Sequence, residues 1–434
     1  MKPNDLRGIL HYIPRFRGQT FVISLDGAIV AEENFANVLL DIAVLRSLNI
    51  RVITAHGIAH QIAQMARLQG TSVSDLGGEG QTDEATLELA INAANRASHE
   101  ILKGFATHEL RAAISNAIKA LPIGIIGGID QRNTGKVERI DTELISALLE
   151  KGILPVVPPL GFDGNGRCLR VNSDVVAVKI AAALRAVKLI YITTKDGILK
   201  GETLIREMPS CELEAELKKA RLADVSKAQC AIAACRSGVP RVHVINGRTN
   251  EGLLAEIFSG EGIGTLIYAG GYREIRPARK NDLRLLIQLM RDSMLSDELS
   301  ARTHRSISDH LDDYFLFEID RHPIACVALH LYENERKAEL ASLCVSRSYE
   351  GQGIGRRLVS FVERRAREVG METLFLLSTQ AFAFFQNKAG FREGSVSDLP
   401  VRRVRTYLRS GRNSKILIKS LGQKGNIQMS PARI

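Results

Sequence analysis

Short apolar runs alternate with longer amphipathic segments through the first 270 residues of the chain. The runs that predict strands are rich in β-branched residues and cover 21–25, 51–55, 123–126, 154–157, 189–192 and 242–245. Between them, 35–48 and 174–186 have the apolar spacing of helices. This alternation is typical of a mainly parallel sheet with helices on both faces. The pattern therefore predicts a three-layer α/β domain.

A glycine-containing segment, Ala269-Gly270-Gly271-Tyr272, interrupts this pattern, which then restarts as a smaller α/β unit. Its predicted strands are 273–276, 315–318, 325–329, 338–345 and 374–378, with helices at 282–294 and in a short stretch ending at Gly390. We therefore expect two domains, 1–271 and 272–434. The first is expected to begin with a helix at 4–17, where apolar residues are interspersed among basic ones.

Length and charge support this division. The 434 residues are 45% apolar and 24% charged, which suits two globular domains with sizeable cores. Residues 272–434 contain 28 basic and 19 acidic side chains, for a net charge of +9, whereas 1–271 contain 30 and 29. This asymmetry indicates an anionic partner for the second domain. Aromatic residues make up only 5% and Trp is absent, so small anionic ligands are favoured over nucleic acid.

Three further features of the sequence indicate where in the cell the protein is expected to be found. No apolar run reaches the roughly 18–20 residues that a membrane helix needs, so no membrane association is expected. Met1 to Thr20 lacks the apolar stretch and cleavage site of a secretory signal. The six cysteines have neither the spacing of a disulfide framework nor that of a metal site. We expect a cytoplasmic protein with reduced thiols and no metal.

The sharpest chemical signal is a glycine-rich turn between a predicted strand and a long amphipathic helix, Tyr349-Glu350-Gly351-Gln352-Gly353-Ile354-Gly355-Arg356. A glycine turn that opens a helix exposes backbone N–H groups, and the helix dipole there also favours anions. The turn predicts a pyrophosphate cradle, formed by Gly351, Gln352, Gly353, Ile354, Gly355 and Arg356. A plain tight turn is the simpler alternative.

This segment resembles the acetyl-CoA loop of the GNAT-type acetyltransferases, Arg/Gln-x-x-Gly-x-Gly/Ala, between strand four and helix three of that fold. Here the match is Glu350-x-x-Gly353-x-Gly355, with Glu in the place of Arg or Gln. The resemblance implies acetyl-CoA as co-substrate. A dinucleotide-binding fold is disfavoured, because the loop does not follow the first strand of its unit.

Other stretches of the second unit resemble the acetyltransferase domain of the N-acetylglutamate synthase family. They are Leu374 to Thr379, Phe384-Phe385, Asp398-Leu399-Pro400 and Gly411-Arg412-Asn413-Ser414. The resemblance implies that Arg302 and Arg412 grip the carboxylates of L-glutamate, with Ser414 assisting. Arginine suits this role because its planar guanidinium pairs with a carboxylate through two hydrogen bonds. The arginine that often precedes the first of these is Ala301 here.

The same resemblance implies two proton-transfer residues. Glu339 matches the general base that deprotonates the α-amino group, and Ser378 matches the proton donor to the departing CoA thiolate. Backbone N–H groups of Leu343, Cys344 and Val345 are expected to polarise the thioester carbonyl. No His or acid is placed beside Cys344, so direct transfer is preferred to an acyl-cysteine intermediate.

The first unit resembles the amino acid kinase fold, closest to acetylglutamate kinase. The stretches that carry this resemblance are Asp41 to Leu45, Ala55-His56-Gly57, Arg170 to Asp174 and Leu189 to Ile198. Where the kinases have Lys-x-Gly-Gly, this chain has Ser24-Leu25-Asp26-Gly27. Phosphoryl transfer depends on phosphate positioning and charge stabilisation. We therefore expect a non-catalytic kinase-like domain.

In the N-acetylglutamate synthase family, such a kinase-like domain binds L-arginine as an effector. Tyr12, Lys188, Glu256 and Gly262 match effector-site positions, and the helix 4–17 resembles that of arginine-sensitive members. An ordinary amphipathic contact is an equal alternative for Tyr12. The helix is expected to dock on a neighbouring subunit, which implies a homo-oligomer such as a hexamer.

Together these features favour an arginine-regulated enzyme that makes N-acetyl-L-glutamate from acetyl-CoA and L-glutamate, the first step of arginine biosynthesis. Three alternatives stay open at this point. The chain could acetylate another amine, it could also be a live acetylglutamate kinase, or it could be a degenerate arginine or acyl-CoA sensor.

Overall fold

The computed structural model describes residues 16–219, 222, 225–258, 262–270, 273–295, 303–319, 322–351, 353–411 and 413–422. The chain divides into two compact units, Met1–Gly270 and Gly271–Ile434. Most of the predicted helix 4–17, including Tyr12, lies outside the described residues. Arg302, Gln352 and Arg412 also lie outside them.

The first unit is built on an eight-stranded sheet. The strands of the whole unit, in this sheet and in smaller ones, are β1 Thr20–Leu25, β2 Arg51–His56, β3 Ala112–Ile114, β4 Ile118–Pro122, β5 Ile125–Ile126, β6 Ile129–Asp130, β7 Gly135–Ile140, β8 Leu154–Val157, β9 Leu160–Phe162, β10 Cys168–Arg170, β11 Lys188–Thr193, β12 Leu199–Lys200, β13 Thr203–Leu204, β14 Glu207–Pro209, β15 Arg241–Asn246 and β16 Thr265–Tyr268. The large sheet has the order β14-β16-β15-β11-β1-β2-β8-β3, and all its pairings are parallel except β15–β16. A second sheet has the order β10-β9-β4-β7.

Helices cover both faces of this sheet, because side chains alternate between two apolar cores along each central strand. Phe21, Ile23 and Leu25 belong to one core, whereas Val22 belongs to the other. The helices are α1 Gly27–Val30, α2 Phe35–Ser47, α3 Ala59–Gln69, α4 Glu84–Ala106, α5 Thr142–Glu150, α6 Ser173–Ala183, α7 Ser210–Lys218, α8 Val225–Arg236 and α9 Gly252–Phe258. The three-layer α/β prediction is confirmed.

One predicted strand of this unit is wrong in part. Of residues 123–126, only Ile125–Ile126 are a strand, and they pair with β6 in a two-stranded hairpin. Ile125 and Ile126 are 73% and 55% exposed, so this apolar run is not a core strand. The neighbouring sheet strand is β4, whose alternating pattern was not singled out. Apolar composition alone does not distinguish a buried run from an exposed hairpin.

The second unit has one seven-stranded sheet, in the order β17-β18-β19-β20-β21-β23-β22. Its strands are β17 Arg273–Pro277, β18 Tyr314–Ile319, β19 His322–Tyr332, β20 Lys337–Val345, β21 Thr373–Ser378, β22 Arg392–Glu393 and β23 Lys415–Ser420. Its helices are α10 Leu283–Leu295, α11 His304–Ser308, α12 Ile354–Glu368, α13 Phe382–Ala389 and α14 Val401–Ser410. One face packs on α12 and α13, and the other on α10, α11 and α14. Within this otherwise antiparallel sheet, β20 and β21 are parallel.

Candidate functional site

The parallel strands β20 and β21 separate part-way along their length. Their pairing ends at Glu339 and Phe375, and beyond these residues both strands line a cavity of about 330 Å³. A register shift in the β19–β20 pairing coincides with Ser342, whose φ of 53° is in the left-handed region. The lining residues are Leu340, Ala341, Ser342, Leu343, Leu376, Leu377, Ser378, Gln380, Ala381 and Phe385. An extended ligand can therefore add to the unpaired edge of β20.

The glycine-rich turn joins β20 to α12 and has the backbone that the sequence requires. Gly351 and Gly353 have φ angles of 80° and 74°, which side-chain-bearing residues rarely adopt. Gly353 is the N-cap residue of α12 and, as a glycine, has no side chain to cap the helix. Gly355, in contrast, has ordinary helical geometry, and a Cβ there would lie 3.4 Å from the ring of Phe384. Uncapped N–H groups at the start of a 15-residue helix suit a phosphate.

Cys344 is turned away from α12. Its thiol donates to the carbonyl of Leu289 in α10 at 3.0 Å and lies 3.5 Å from the hydroxyl of Ser293. Leu343 and Val345, on the opposite face, pack in the core that includes α12. The thiol is thus held by α10, which agrees with direct acetyl transfer.

Glu339 is buried and has partners that the sequence did not reveal. Its carboxylate accepts three hydrogen bonds of 2.8–3.0 Å from the guanidinium of Arg403 and one of 3.0 Å from the Tyr332 hydroxyl. Burial alone lowers the pKa of Arg403, but the bonds to Glu339 outweigh it, so the pKa is raised. Arg403 lies in α14 among several arginines, and no spacing distinguished it from them.

The other predicted residues of this unit lie as follows. Ser378 ends β21, is buried, and lines the cavity between the strands. Arg356 is exposed in the first turn of α12. Ser414 is half-buried, and its carbonyl accepts a hydrogen bond of 2.9 Å from Tyr407.

In the first unit, three predicted effector residues form a cluster with a histidine. The Lys188 ammonium donates to Nε2 of His243 at 2.9 Å, and Nδ1 of His243 donates to Glu256 at 2.7 Å. Glu256 also accepts the N–H groups of Ile263 and Gly264, beside Gly262 with its φ of 59°. We call Lys188, His243, Glu256 and Gly262 the effector cluster. The ring of Phe16 lies 5.3 Å from the Lys188 ammonium.

The charges of the effector cluster follow from its hydrogen bonds. Burial lowers the pKa of His243 to about 4, and the Lys188 ammonium adds to this effect. Burial alone raises the pKa of Glu256, but hydrogen bonds from His243 and from two backbone N–H groups bring it to about 2. A neutral imidazole therefore lies between an ammonium and a carboxylate. His243 had a sequence signal, since it interrupts the apolar run 242–245.

A second cavity, of about 380 Å³, lies in the first unit and is lined in part by Asp26, Gly57 and residues 170–174. Lys227 lines it and pairs with Asp26 at 2.8 Å and Asp174 at 2.7 Å. Burial alone lowers the pKa of this ammonium, but the two carboxylates raise it above its usual range. Ser24 is buried in β1. The Lys227 ammonium is thus already paired with two carboxylates.

The residues that the structure describes contain no helix long and apolar enough to cross a membrane. Within the same ranges no group of three or more His, Cys, Asp or Glu side chains could hold a metal ion.

Two family models match the chain: the amino acid kinase family over 19–246 and the GNAT acetyltransferase family over 283–391. The amino-acid acetyltransferase of Pseudomonas aeruginosa PAO1 is 32% identical over 431 residues, covering 96% of this chain and 99% of that protein. The Pasteurella multocida enzyme of the same name is 31% identical, covering 95% and 96%.

Two solved structures of N-acetylglutamate synthase from Neisseria gonorrhoeae are also similar to the chain, and each covers 97% of it and 99% of the solved chain. The complex with coenzyme A and L-arginine superposes with a TM-score of 0.83 at 28% identity. The complex with coenzyme A and N-acetyl-glutamate has a TM-score of 0.64 at 30% identity.

Proposed function

This chain belongs to the amino-acid acetyltransferase family, and from that membership we propose that it transfers the acetyl group of acetyl-CoA to L-glutamate. The products are N-acetyl-L-glutamate and CoA, in the first step of arginine biosynthesis. The opening between β20 and β21, with the glycine turn at the start of α12, is the observation that carries this proposal.

Acetyl-CoA takes its place along the unpaired edge of β20. Its pyrophosphate accepts hydrogen bonds from the N–H groups of residues 351–356, where the φ angles of Gly351 and Gly353 leave the backbone uncovered. The pantetheine arm extends between the strands, and the thioester carbonyl lies against the N–H groups of Leu343, Cys344 and Val345. Ser378, which lines the same cavity, protonates the departing thiolate.

L-Glutamate binds by its two carboxylates and its ammonium. Arg302 and Arg412 take the carboxylates and Ser414 assists, as the family resemblance implies. Glu339 attracts the ammonium and accepts its proton, and the guanidinium of Arg403 holds the Glu339 carboxylate in place. The amine then attacks the thioester carbon, so the C–N bond forms as the C–S bond breaks.

L-Arginine binds to the first unit as an effector. The carboxylate of Glu256 suits a cationic group of arginine, and the Lys188 ammonium suits its carboxylate. Tyr12 and Gly262 complete the set that the resemblance implies, and His243 and Phe16 extend it. Arginine can regulate acetyl transfer only by binding two arrangements of the protein unequally.

The kinase-like fold itself is not expected to catalyse. Lys227 is held by two carboxylates, and Ser24 stands where a kinase has lysine. We further propose residues 1–271 as the regulatory domain and 272–434 as the catalytic one, in a homo-oligomer. A cytoplasmic location agrees with six cysteines that form no disulfide.

A thiol-release assay with acetyl-CoA and a panel of amino acids tests the activity. We expect release with glutamate, and little with glutamine, aspartate or lysine. Equal rates across the panel would point to another acceptor.

The regulatory assignment is tested in the same assay with added arginine. We expect Lys188→Met to weaken the arginine effect by about tenfold or more in concentration, because a charge-assisted contact is worth roughly 1.5–3 kcal/mol. Lys179→Met in α6 is a matched control. Unchanged arginine sensitivity in Lys188→Met would contradict the effector cluster, and ATP-dependent phosphorylation of N-acetylglutamate would contradict the non-catalytic kinase-like domain.

A further inference from the structure

His330 lies on β19 directly opposite Glu339 of β20, so the two side chains share one face of the sheet. Its Nδ1 is 2.7 Å from a carboxylate oxygen of Asp313. Its Nε2 is buried and has no hydrogen-bond partner among the residues that the structure describes. Buried polar atoms are nearly always paired, so an unpaired nitrogen beside a proposed proton acceptor suggests a chemical role.

Asp313 fixes which ring nitrogen is basic. A carboxylate accepts hydrogen bonds, so Nδ1 of a neutral His330 carries the proton and Nε2 has the lone pair. The imidazole can then accept a proton at Nε2 while its partner stabilises the resulting positive charge. The same division of roles is known for histidines that act as general bases.

Glu339 by itself is a poor final acceptor of the ammonium proton. Its two oxygens already accept three hydrogen bonds from Arg403 and one from Tyr332. Protonating this carboxylate would leave the half-buried Arg403 guanidinium without a counter-charge, which is unfavourable. A proton that reaches Glu339 must therefore move on.

We propose that His330, oriented by Asp313, receives from Glu339 the proton that the substrate ammonium loses before acetyl transfer. This inference rests on the proposed function and extends it. The ammonium gives one proton to Glu339, and one bridging water carries it from there to Nε2 of His330, because the two side chains make no direct hydrogen bond in the described residues. The amine nitrogen then bonds to the acetyl carbon as the C–S bond breaks. Its second proton reaches the CoA sulfur through Ser378, whose hydroxyl gives its proton to the thiolate and takes up the one that the nitrogen loses. His330 returns its proton to water.

The other titratable and charged groups around His330 come from several elements. The ring of His310 lies 6.0 Å away, centroid to centroid, and that of Tyr314 in β18 lies 6.4 Å away. Glu339 with Arg403 contributes from β20 and α14, and Asp313 from the turn before β18. In the described residues, only Asp313 among these makes a hydrogen bond to the imidazole.

Two substitutions test the proposal. His330→Gln keeps a polar side chain but cannot take up a proton, so kcat with glutamate should fall on the order of 100-fold. Asp313→Asn keeps the shape of the pair but offers an N–H to Nδ1, which moves the imidazole proton to Nε2. We expect a similar fall in kcat, and no further fall in the double variant, because both changes remove one base.

The controls separate chemistry from folding. His310→Gln, at an exposed neighbouring imidazole, should stay within about twofold of wild type. Coenzyme A affinity and thermal midpoint should be retained in every variant. The pH profile of kcat should change shape in His330→Gln and Asp313→Asn, whereas a structural role would lower kcat evenly at every pH.

The possible outcomes distinguish failure of the His330 proposal from failure of the proposed acetyltransferase function. If wild type acetylates glutamate and Asp313→Asn retains its kcat and pH profile, the role of His330 is wrong while the proposed function stands. Unequal losses that multiply in the double variant would also overturn it. If wild type does not acetylate glutamate at all, the proposed function itself fails.

Discussion

Gly353 provides the most direct test of the acetyl-CoA cradle, because the chain contains a matched control for it. Gly353 precedes α12 with a φ of 74°, and Gly370 follows the same helix with a φ of 79°. At neither glycine would an added Cβ meet another atom within 4 Å. Gly353→Ala and Gly370→Ala therefore impose the same backbone strain at opposite ends of one helix.

The two variants should lose similar stability. A left-handed backbone costs a residue with a Cβ roughly 1–2 kcal/mol relative to glycine. For a unit of about 160 residues, this corresponds to a fall of about 2–8 °C in the thermal midpoint. The loss is small enough for both variants to remain folded.

Their affinities for coenzyme A should differ. The methyl group of Gly353→Ala projects into the space that a pyrophosphate must enter, and loss of one charge-assisted hydrogen bond is worth roughly 1.5–3 kcal/mol. Titration calorimetry should then show about 10-fold to 150-fold weaker binding of coenzyme A, with no change for Gly370→Ala. Acetyl-pantetheine, which has no pyrophosphate, should serve both variants equally. Equal coenzyme A affinity in the two variants would refute the cradle.

Two further predictions concern buried charges. Arg403→Met should cost about 3–5 kcal/mol of unfolding free energy and most of the activity, because it leaves the buried carboxylate of Glu339 without its counter-ion. Arg402→Met, at the exposed neighbouring residue, should cost under about 0.5 kcal/mol. Equal denaturant midpoints for the two variants would contradict this prediction. Burial lowers the pKa of both His56 and His243 to about 4. Between pH 6.5 and 4 the folded first unit therefore binds fewer protons than the unfolded chain. Its unfolding free energy should fall by about 1.4 kcal/mol per pH unit for each imidazole as the pH drops through that window. Burial raises the pKa of Asp41 to about 6, so this carboxyl opposes the loss of unfolding free energy below pH 6. Urea unfolding of His56→Gln should show a shallower pH dependence than that of the wild type.

Local sequence patterns were sufficient to predict structure where the local backbone or burial selects one type of residue. The nearly continuous apolar run 21–25 specifies a strand buried on both faces, and the structure has β1 there. Gly351 and Gly353 were identified from spacing alone, because a backbone with positive φ selects glycine in any context. Lys188, Glu256 and Gly262 came from a family resemblance, and folding brings them into one cluster although about 70 residues separate the first two.

Only the tertiary structure revealed the partners of these residues. Arg403 is one of several arginines in α14, and its pairing with Glu339 depends on how that helix packs on the sheet. His330 and Asp313 were likewise inconspicuous, because 17 positions separate them in the chain. The pairing of β18 with β19 brings the turn that contains Asp313 beside His330. Long-range pairing depends on the packing of whole elements, and no short window of sequence encodes it. The central strands and the glycine turn were therefore readable from local sequence, whereas the exposed hairpin at 125–130 and the charge environment of the site required the fold.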